Sequence, residues 1–433
     1  PRQLSVPRPD MDGDRLKILF LAPFAPSPAT FGAQRRAEGL MAALGGRHEI
    51  TAVSVIPDDQ DARAAERAMA EYCSEVVLIA RPSASWEGVG KRFLQVCSLL
   101  SSRSLVRGLY DLRSVRDVLH RVLSARAYDV VNVELPFLAF HELAKAPPGA
   151  RPPRLVLDEH NIEFDLARQQ ASRGMDPARR IYNAINWRKV RREEMQIWSR
   201  FDGVAFCSAA DQARARALVP SLRSAVVPNA VNVEYFKPGA TDPPSDGRTV
   251  LFFGALDYFP NQDGVLHFLR EAWPLVEKSN PAARLKIVGQ EPTPQILAHR
   301  GPRVEIAGKV DDVRQHLASA AVSIAPLRIG GGTRFKILEA MAMAKPVVST
   351  SLGAEGIDAE AGRHLLLGDD PASLAAAVLR VLGDPQLASR LGREGRALVE
   401  ERYSWHGAAR ALEELYGEVL AAPQRAELTG SPA

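Results

Sequence analysis

Short apolar runs alternate with longer amphipathic stretches along almost the whole chain. The first run, Lys17–Ala22 (KILFLA), is nearly continuous in hydrophobicity, as expected for a strand buried on both faces of a parallel sheet. The same pattern predicts further strands at His48–Val55, Glu75–Ala80, Asp129–Val133, Arg154–Leu157, Gly203–Phe206, Ser224–Val227, Thr249–Phe253, Arg284–Val288, Val304–Ala307, Val322–Ala325 and Val347–Thr350. Strands that alternate with helices in this way predict an α/β fold made of doubly wound parallel sheets.

One segment interrupts the alternation. Residues 237–248 (KPGATDPPSDGR) hold three prolines and two glycines and show no apolar periodicity, which predicts a linker. The linker would separate a domain over 16–236 from one over 249–403, with a disordered extension over 1–15 and a final amphipathic helix over 404–423. Two such domains leave a cleft between their sheet edges, which is the expected ligand site.

Composition narrows the class of protein. The chain has 433 residues, a net charge of +4 and a pI near 9.0, which is only mildly basic and does not indicate a nucleic-acid partner. Its three cysteines lie far apart, so we expect a reducing compartment without a disulfide framework or a cysteine metal site. No apolar run approaches 18 residues and no signal sequence opens the chain, so we expect a soluble cytoplasmic protein.

A glycine-rich loop with basic residues is the most informative motif. The predicted strand Val322–Ala325 runs into Gly330, Gly331 and Gly332, after which Thr333 is placed to cap a helix that ends before Pro346. Arg334 and Lys336 fall at the start of that helix, where the dipole disfavours cations by about 0.3–1 kcal/mol each. A bound anion would reverse that sign, so the motif predicts a phosphate or diphosphate site.

Glu339 lies three residues after Lys336 and shares its helix face. A carboxylate beside bound phosphate is suited to sugar hydroxyls, because it only accepts hydrogen bonds when ionised. The alternative is a surface salt bridge between Lys336 and Glu339 that follows a flexible turn.

Taken together, the motifs resemble those of GT-B glycosyltransferases in the large retaining group called family 4. The segments that carry the resemblance are KILFLAP, the proline loop to Gly32, VLDEHN, VVPNAVNVEYF, FFGALDYFPNQDGV, KIVGQEP, AGKVDDV, APLRIGGGTRFKILEAMAMAKPVVST and RYSW. The resemblance implies an acceptor-side first domain, a second domain that binds a nucleotide-diphosphate sugar, and a C-terminal helix that crosses back to the first domain. It also implies transfer with retention of configuration to a glycan, lipid-linked or small-molecule acceptor, and no metal or other cofactor.

The resemblance assigns roles residue by residue. Glu339 matches the second glutamate of the family's E-x7-E motif and would hold the donor ribose, while Gly331 stands where the first glutamate is expected. Ala255 stands where the family has an arginine, and Gln262 or Asp263 where it has a lysine. Because these cations are missing, we hypothesise that Arg334 and Lys336 replace them at the donor phosphates.

His160, at the end of the strand in VLDEHN, matches a histidine that the family places near the transferred sugar, so the expected catalytic residues are His160 and Glu339. A neutral imidazole would hydrogen-bond a sugar hydroxyl, and the alternative is a histidine satisfied by nearby backbone. Asp158 and Glu159 flank it, and either is a candidate acid or base. The expected donor-binding positions are Gly32, Gly254, Gly289, Val310, Gly331, Gly332, Thr333, Arg334, Lys336 and Glu339. Asn261 belongs either to the phosphate side or to a helix cap.

One basic run remains. Residues 179–200 hold seven arginines or lysines against Glu193 and Glu194, with Ile181, Ile185 and Trp187 interleaved. Such a helix either rests on an anionic membrane or is a solvated helix beside the acceptor site. Other GT-B classes, namely sugar-nucleotide epimerases, phosphorylases and non-catalytic partner subunits, remain alternatives. A dehydrogenase is disfavoured because no GxGxxG follows the first strand.

Overall fold

The computed structural model describes residues 15–81, 95–173, 177–240 and 242–423. It divides into two compact units, which are described separately. Unit 1 comprises the chain up to Val227 together with the residues from Ala409 onward, and unit 2 comprises Pro228–Ala408. The disordered extension predicted for 1–15 lies, apart from residue 15, outside the described residues. The division at Val227 falls ten residues before the predicted linker, and residues 237–248, where described, form neither helix nor strand.

Unit 1 is built on a seven-stranded sheet in which every neighbouring pair is parallel. Its strands are β1 Lys17–Ala22, β2 Glu49–Pro57, β3 Glu75–Arg81, β4 Val130–Glu134, β5 Arg154–Glu159, β6 Gly203–Phe206 and β7 Ser224–Val226, in the order β3-β2-β1-β4-β5-β6-β7. The helices are α1 Gly32–Gly45, α2 Ala62–Met69, α3 Leu105–Tyr110, α4 Arg113–Ala125, α5 Glu163–Arg173, α6 Pro177–Arg200 and α7 Ala209–Leu218. Five of the six residues of β1 are buried, as its continuous apolar run predicts.

Unit 2 has a six-stranded sheet whose neighbouring strands are also parallel. Its strands are β8 Thr249–Phe253, β9 Arg284–Val288, β10 Val304–Gly308, β11 Val322–Ala325, β12 Val347–Ser349 and β13 Leu366–Leu367, in the order β10-β9-β8-β11-β12-β13. The helices are α8 Phe259–His267, α9 Trp273–Ser279, α10 Pro294–Leu297, α11 Arg314–Ser319, α12 Phe335–Ala342, α13 Pro371–Gly383 and α14 Pro385–Arg402.

The last helix, α15 Trp405–Ala421, has most of its length in unit 1. Tyr416 is fully buried there and donates a hydrogen bond to Asn132 at 3.0 Å, while Glu413 lies 2.8 Å from His48. A Cβ on Gly203 would come within 2.8 Å of Val419, so this glycine lets α15 lie close to β6.

The doubly wound α/β architecture predicted from the sequence is confirmed. No helix in the described ranges combines the length and apolar character needed to cross a membrane.

Candidate functional site

The strand order of unit 2 reverses direction at β8. The strands that follow it in sequence, β9 and β10, lie on one side, and β11 to β13 lie on the other. Gly254 follows β8, and the Gly330–Gly332 loop follows β11, so both occupy the carboxyl ends of strands at the switch point. Ligands of open α/β sheets bind at this place, because the diverging loops leave a crevice there.

Gly254 has a backbone conformation that only glycine adopts readily, with φ of +147°. A Cβ at this position would lie 2.9 Å from the Lys336 ammonium and 3.2 Å from the Asn261 amide nitrogen. Gly289 is equally restricted, because its Cβ would come within 2.0 Å of the Gly254 carbonyl oxygen. The two glycines therefore let the ends of β8 and β9 approach each other and leave room for the lysine.

Lys336 extends from the first turn of α12 towards Gly254. Its ammonium donates a hydrogen bond to Oδ1 of Asn261 at 2.7 Å and lies 4.2 Å from the ring centre of Phe252. Burial, reinforced by the nearby Arg334 charge and opposed by Glu339, lowers the pKa of Lys336 to about 7. A half-buried cation with a lowered pKa gains from a bound anion, because the anion restores the lost solvation.

Asn261 links two elements of unit 2 rather than capping a helix. The N-cap of α8 is Tyr258, and the Asn261 side chain instead bridges two elements. Its Nδ2 donates to the Ala255 carbonyl at 2.7 Å while its Oδ1 accepts from Lys336. The capping alternative is therefore wrong, and Asn261 positions the lysine.

Arg334 occupies a different place from the one expected. It is the N-cap residue of α12, and its guanidinium donates to the carbonyl oxygens of Gly331 and Gly332 and, at 3.4 Å, to that of Leu352. These bonds turn the guanidinium towards its own loop, in which Gly330 and Gly332 have positive φ values. Arg334 thus braces the loop, while Lys336 is the cation beside Gly254.

Thr333 does not cap the helix, so that expectation is wrong. Its hydroxyl donates to the Gly356 carbonyl at 3.4 Å, and its own carbonyl accepts from Nδ2 of Asn229 at 2.9 Å. Arg334, one residue later, has the extended backbone of an N-cap and leaves the cap without a side-chain acceptor. Asn229, from the PNAV segment, was assigned no role from the sequence, although it fixes the loop from 104 residues away.

The other positions expected to bind the donor lie mostly in unit 2. Glu339 is only 2 % exposed within α12, which rules out the alternative of a surface salt bridge with Lys336. Gly308 ends β10 with φ of +70° and accepts a hydrogen bond from the Gly289 N–H at 2.8 Å. Val310 packs, partly buried, against the core next to α12. Gly32 begins α1 in unit 1, and its part in donor binding stays a prediction.

A second polar site lies in unit 1, at the carboxyl ends of β4 and β5. Nε2 of His160 lies 2.9 Å from Oε2 of Glu134 and 3.7 Å from Asp158. Arg36 makes a two-pronged ion pair with Asp158 at 2.6 and 2.8 Å, and all four side chains are buried. Arg36 and Glu134 had no role in the sequence interpretation, because each meets its partner only when β1, β4 and β5 become neighbours.

Burial and neighbouring charges shift the pKa values in this network, and burial together with Asp158 raises the pKa of Glu134. Burial opposes ionisation of Asp158, but Arg36 outweighs it and lowers the pKa of the carboxyl to about 2. Burial likewise opposes the charged form of His160, yet the hydrogen bonds to Asp158 and Glu134 raise its pKa. His160 is therefore favoured as an imidazolium whose Nε2 is engaged by Glu134, rather than as the neutral ring that was expected.

Glu134, Asp158 and His160 are close enough to share a metal ion, with ligand atoms within 4.8 Å of one another. The charges argue against that use. Arg36 and His160 already engage the carboxyl groups of Asp158 and Glu134, and a divalent cation would have to displace both. The network is better described as an ion-paired support that holds the end of β5.

Sequence comparison finds a family match within the second half of the chain. Residues 247–384 match the family described as Glycosyl transferases group 1. A GDP-mannose-dependent monoacylated phosphatidylinositol monomannoside mannosyltransferase of Corynebacterium glutamicum is 30 % identical over 204 residues, which cover 41 % of this chain and 52 % of the relative. A glycogen synthase of Mycobacterium tuberculosis is 28 % identical over 244 residues, covering 53 % of this chain and 57 % of the relative. The chain thus spans about half the length of these curated relatives.

Solved structures extend the likeness of fold to the whole chain. A sucrose-phosphate synthase from Thermosynechococcus elongatus has a TM-score of 0.70 at 18 % identity, covering 94 % of this chain and all of that one. The Anabaena HepE protein, solved with UDP and glucose, has a TM-score of 0.62 at 17 % identity, covering 93 % and 100 %. These likenesses, at 17–18 % identity, show that the chain shares the GT-B fold, and the match to group 1 glycosyltransferases covers residues 247–384.

Proposed function

We propose that this protein transfers a hexosyl group from a nucleotide-diphosphate sugar to an acceptor hydroxyl, with retention of configuration. The observation that carries the proposal is the position of Lys336. Its half-buried ammonium lies at the N-terminal end of α12, beside Gly254 at the switch point of the unit 2 sheet. A cation, a helix N-terminus and a glycine-lined strand end together favour a diphosphate.

Lys336 would also take the place of the arginine that the family has after β8. The family's arginine is expected just after β8, where this chain has Ala255. The Lys336 ammonium comes from α12 to the same strand end, and Asn261 holds it there by bridging to the Ala255 carbonyl. We therefore assign the donor phosphates to Lys336, and assign Arg334 the supporting task of holding the glycine loop.

The chemistry required of this site is modest. As the bond between the anomeric carbon and the diphosphate breaks, negative charge grows on the leaving group. Lys336 and the N–H groups at the start of α12 would stabilise that charge without a metal ion. Glu339, buried three residues further along the helix, would accept hydrogen bonds from the donor ribose hydroxyls.

The relatives support a nucleotide-sugar donor and leave the identity of its nucleobase open. The Corynebacterium relative is described as GDP-mannose-dependent, and the Anabaena structures contain UDP, glucose or UDP-glucose. The direct test is a thermal-shift screen against UDP, GDP, dTDP and ADP, followed by hydrolysis assays on the matching nucleotide sugars. We expect one diphosphate to raise the melting temperature at concentrations where the nucleoside alone does not. The proposal is wrong if none of the four does so.

We propose in addition that α6 contacts an anionic membrane, which would suit a lipid-linked acceptor. In its described part every exposed charge is positive, because Glu193 and Glu194 both point inward. Glu193 accepts from the Ser104 N–H at 2.9 Å, and Glu194 accepts from two N–H groups of α5.

Apolar side chains accompany these cations. Ile181 is 65 % exposed, and Leu100 in the adjoining segment is 89 % exposed. Tyr182 and Lys189 tie α6 to that segment through Ser98. Exposed apolar groups next to unopposed cations are the combination that anionic bilayers attract.

Sedimentation with vesicles tests the membrane surface. The wild type should bind vesicles that contain phosphatidylserine and lose that binding in neutral phosphatidylcholine or at 0.5 M salt. A variant with Arg188→Glu and Arg192→Glu should bind weakly. The surface is refuted if the wild type binds both kinds of vesicle equally or neither.

A further inference from the structure

Three carboxyl groups that the preceding sites do not use gather behind His160. Glu159 ends β5, Glu163 begins α5, and Glu194 comes from α6. We refer to Glu159, Glu163 and Glu194 as the carboxyl cluster. Glu159 and Glu194 are almost fully buried, whereas Glu163 is half-buried and reaches solvent.

Two members of the cluster have structural partners. Oε1 of Glu159 accepts from the Trp198 indole N–H at 2.8 Å. The two oxygens of Glu194 accept from the N–H groups of Glu163 and Phe164 at 2.8 and 2.9 Å, which caps the N-terminus of α5. Glu163 differs from both, because no hydrogen bond or ion pair holds its side-chain carboxyl within the described part of the chain.

Counting charges shows that this region must hold protons near neutral pH. Arg36 and His160 are matched by Asp158 and Glu134. Among the residues that the structure describes, the carboxyl cluster has no ion pair with a cation, and the titratable groups outside the cluster that act on Glu163 are His160 and the Tyr110 phenol. Three neighbouring carboxylates without counter-ions are strongly disfavoured in a buried site, so protons are shared among them.

Glu163 is placed to exchange its proton with a substrate. It lies three residues after His160, in the turn at the carboxyl end of β5, which is where α/β sheets bind ligands. The Glu163 side chain is partly buried, whereas those of Glu159 and Glu194 are almost fully buried. A substrate at this end of the unit 1 sheet could therefore meet Glu163 without disturbing the cap of α5.

We propose that Glu163 accepts the proton of the acceptor hydroxyl during transfer, an inference that rests on the proposed glycosyltransferase function. The acceptor oxygen forms a bond to the anomeric carbon, and the bond from that carbon to the diphosphate oxygen breaks with its electron pair leaving on the diphosphate. The hydroxyl proton moves to the Glu163 carboxylate and is released to solvent afterwards. No further reactant is needed.

The ionisation of Glu163 suits this role. Burial raises the pKa of its carboxyl to about 7, against the opposing effect of the His160 charge. A group that titrates near the working pH is present both as base and as acid, which is the condition under which general catalysis is most effective.

The test uses the nucleotide sugar selected by the thermal screen, with water as the acceptor. Glu163→Gln should lower kcat for donor hydrolysis by about 10²–10⁴-fold. KM for the donor and the diphosphate-induced thermal shift should stay within twofold of wild type. The wild-type rate should rise with pH through an ionisation near 7, and that limb should vanish in Glu163→Gln and return in Glu163→Asp.

Asp165→Asn is the matched control. Asp165 lies in the same first turn of α5 but is paired with Arg168 at 2.6 Å, so its loss should leave both kcat and the pH limb unchanged. The inference is overturned if Glu163→Gln keeps its kcat within threefold of wild type together with the limb near pH 7. A wild type that responds to none of the diphosphates would instead refute the glycosyltransferase function, and that result is separable because it does not involve Glu163.

Discussion

The ammonium of Lys336 and Oδ1 of Asn261 are 2.7 Å apart, and both border the space that a Cβ on Gly254 would occupy. Lysine, asparagine and glycine come from α12, α8 and the end of β8, so three elements of unit 2 define one cationic corner. The first three predictions concern this corner.

Donor binding should depend on pH through Lys336. The pKa of this lysine is lowered to about 7 in the free protein, and a bound diphosphate should raise it because the anion favours the ammonium. Affinity for a nucleotide sugar should then weaken above pH 7, by up to about tenfold per pH unit, with proton uptake on binding. Calorimetry in two buffers of different ionisation enthalpy measures that uptake. An affinity that is constant from pH 6.5 to 8.5 would rule out the coupling of donor binding to the ionisation of Lys336.

Gly254→Ala should damage the site more than the fold. The φ of +147° costs an alanine about 1–3 kcal/mol, and the new methyl would also press on the Lys336 ammonium. Gly247→Ala is the control, since Gly247 has φ of +69° with nothing within 4 Å of its Cβ position. Both variants should lose melting temperature, but only Gly254→Ala should lose nucleotide affinity, by tenfold or more. Equal affinities in the two variants would contradict the assignment.

Arg334 and Lys336 should behave differently when each is removed. Arg334→Ala takes away the donors that hold the Gly331 and Gly332 carbonyls, so the loop should become more mobile and lose its protection from hydrogen exchange before any ligand is added. Lys336→Ala should leave loop exchange unchanged in the free protein. Hydrogen-exchange mass spectrometry of peptides over 328–340 distinguishes the two. Identical exchange in Arg334→Ala and wild type would show that the brace is unimportant.

Stability should fall as pH rises through the neutral range because of Glu194. Burial, with the Glu163 charge adding to it, raises the pKa of Glu194 to about 8, despite the two N–H groups it accepts from. A carboxyl with a raised folded-state pKa contributes its full stability below the unfolded value near 4.5 and loses it as pH rises through the folded value. The slope can reach about 1.4 kcal/mol per pH unit.

Urea unfolding from pH 5 to 9, followed by tryptophan fluorescence, measures this dependence. Trp198 donates to the neighbouring Glu159, so its emission should change over the same range in the native state. Glu194→Gln should flatten the dependence, and Trp198→Phe should remove the emission change. A wild type whose unfolding midpoint stays level from pH 5 to 9 would contradict the raised pKa.

The local elements of this protein are readable from its sequence. The continuous apolar run Lys17–Ala22 and the glycines after β11 have local physical causes, so pattern alone placed them correctly. The cation at the start of α12 was also visible, because it contradicts the helix dipole. The pattern could not provide the direction of side chains. For that reason the sequence did not predict that Arg334 turns towards its own loop.

Contacts between residues that are far apart in the sequence could not be predicted either. Arg36 meets Asp158 across 122 residues, and Asn229 meets Thr333 across 104, so neither pairing leaves a local trace. Glu194 sits among arginines in the sequence and was counted against them, yet it faces inward to cap α5. The apolar residues that follow Glu194, Met195 and Ile197, are a sequence signal that could have indicated its inward direction.

The central claim is that Lys336 holds the donor diphosphate, and the dissociation constant of the preferred nucleotide diphosphate for Lys336→Met tests it most directly. Lys278→Met, on the exposed face of α9, is the charge-matched control. Losing a charged hydrogen-bond donor should weaken binding by about 1.5–3 kcal/mol, which is roughly ten- to a hundredfold, while Lys278→Met binds like wild type. Equal affinities for wild type and both variants, each folded at the same melting temperature, would contradict the claim.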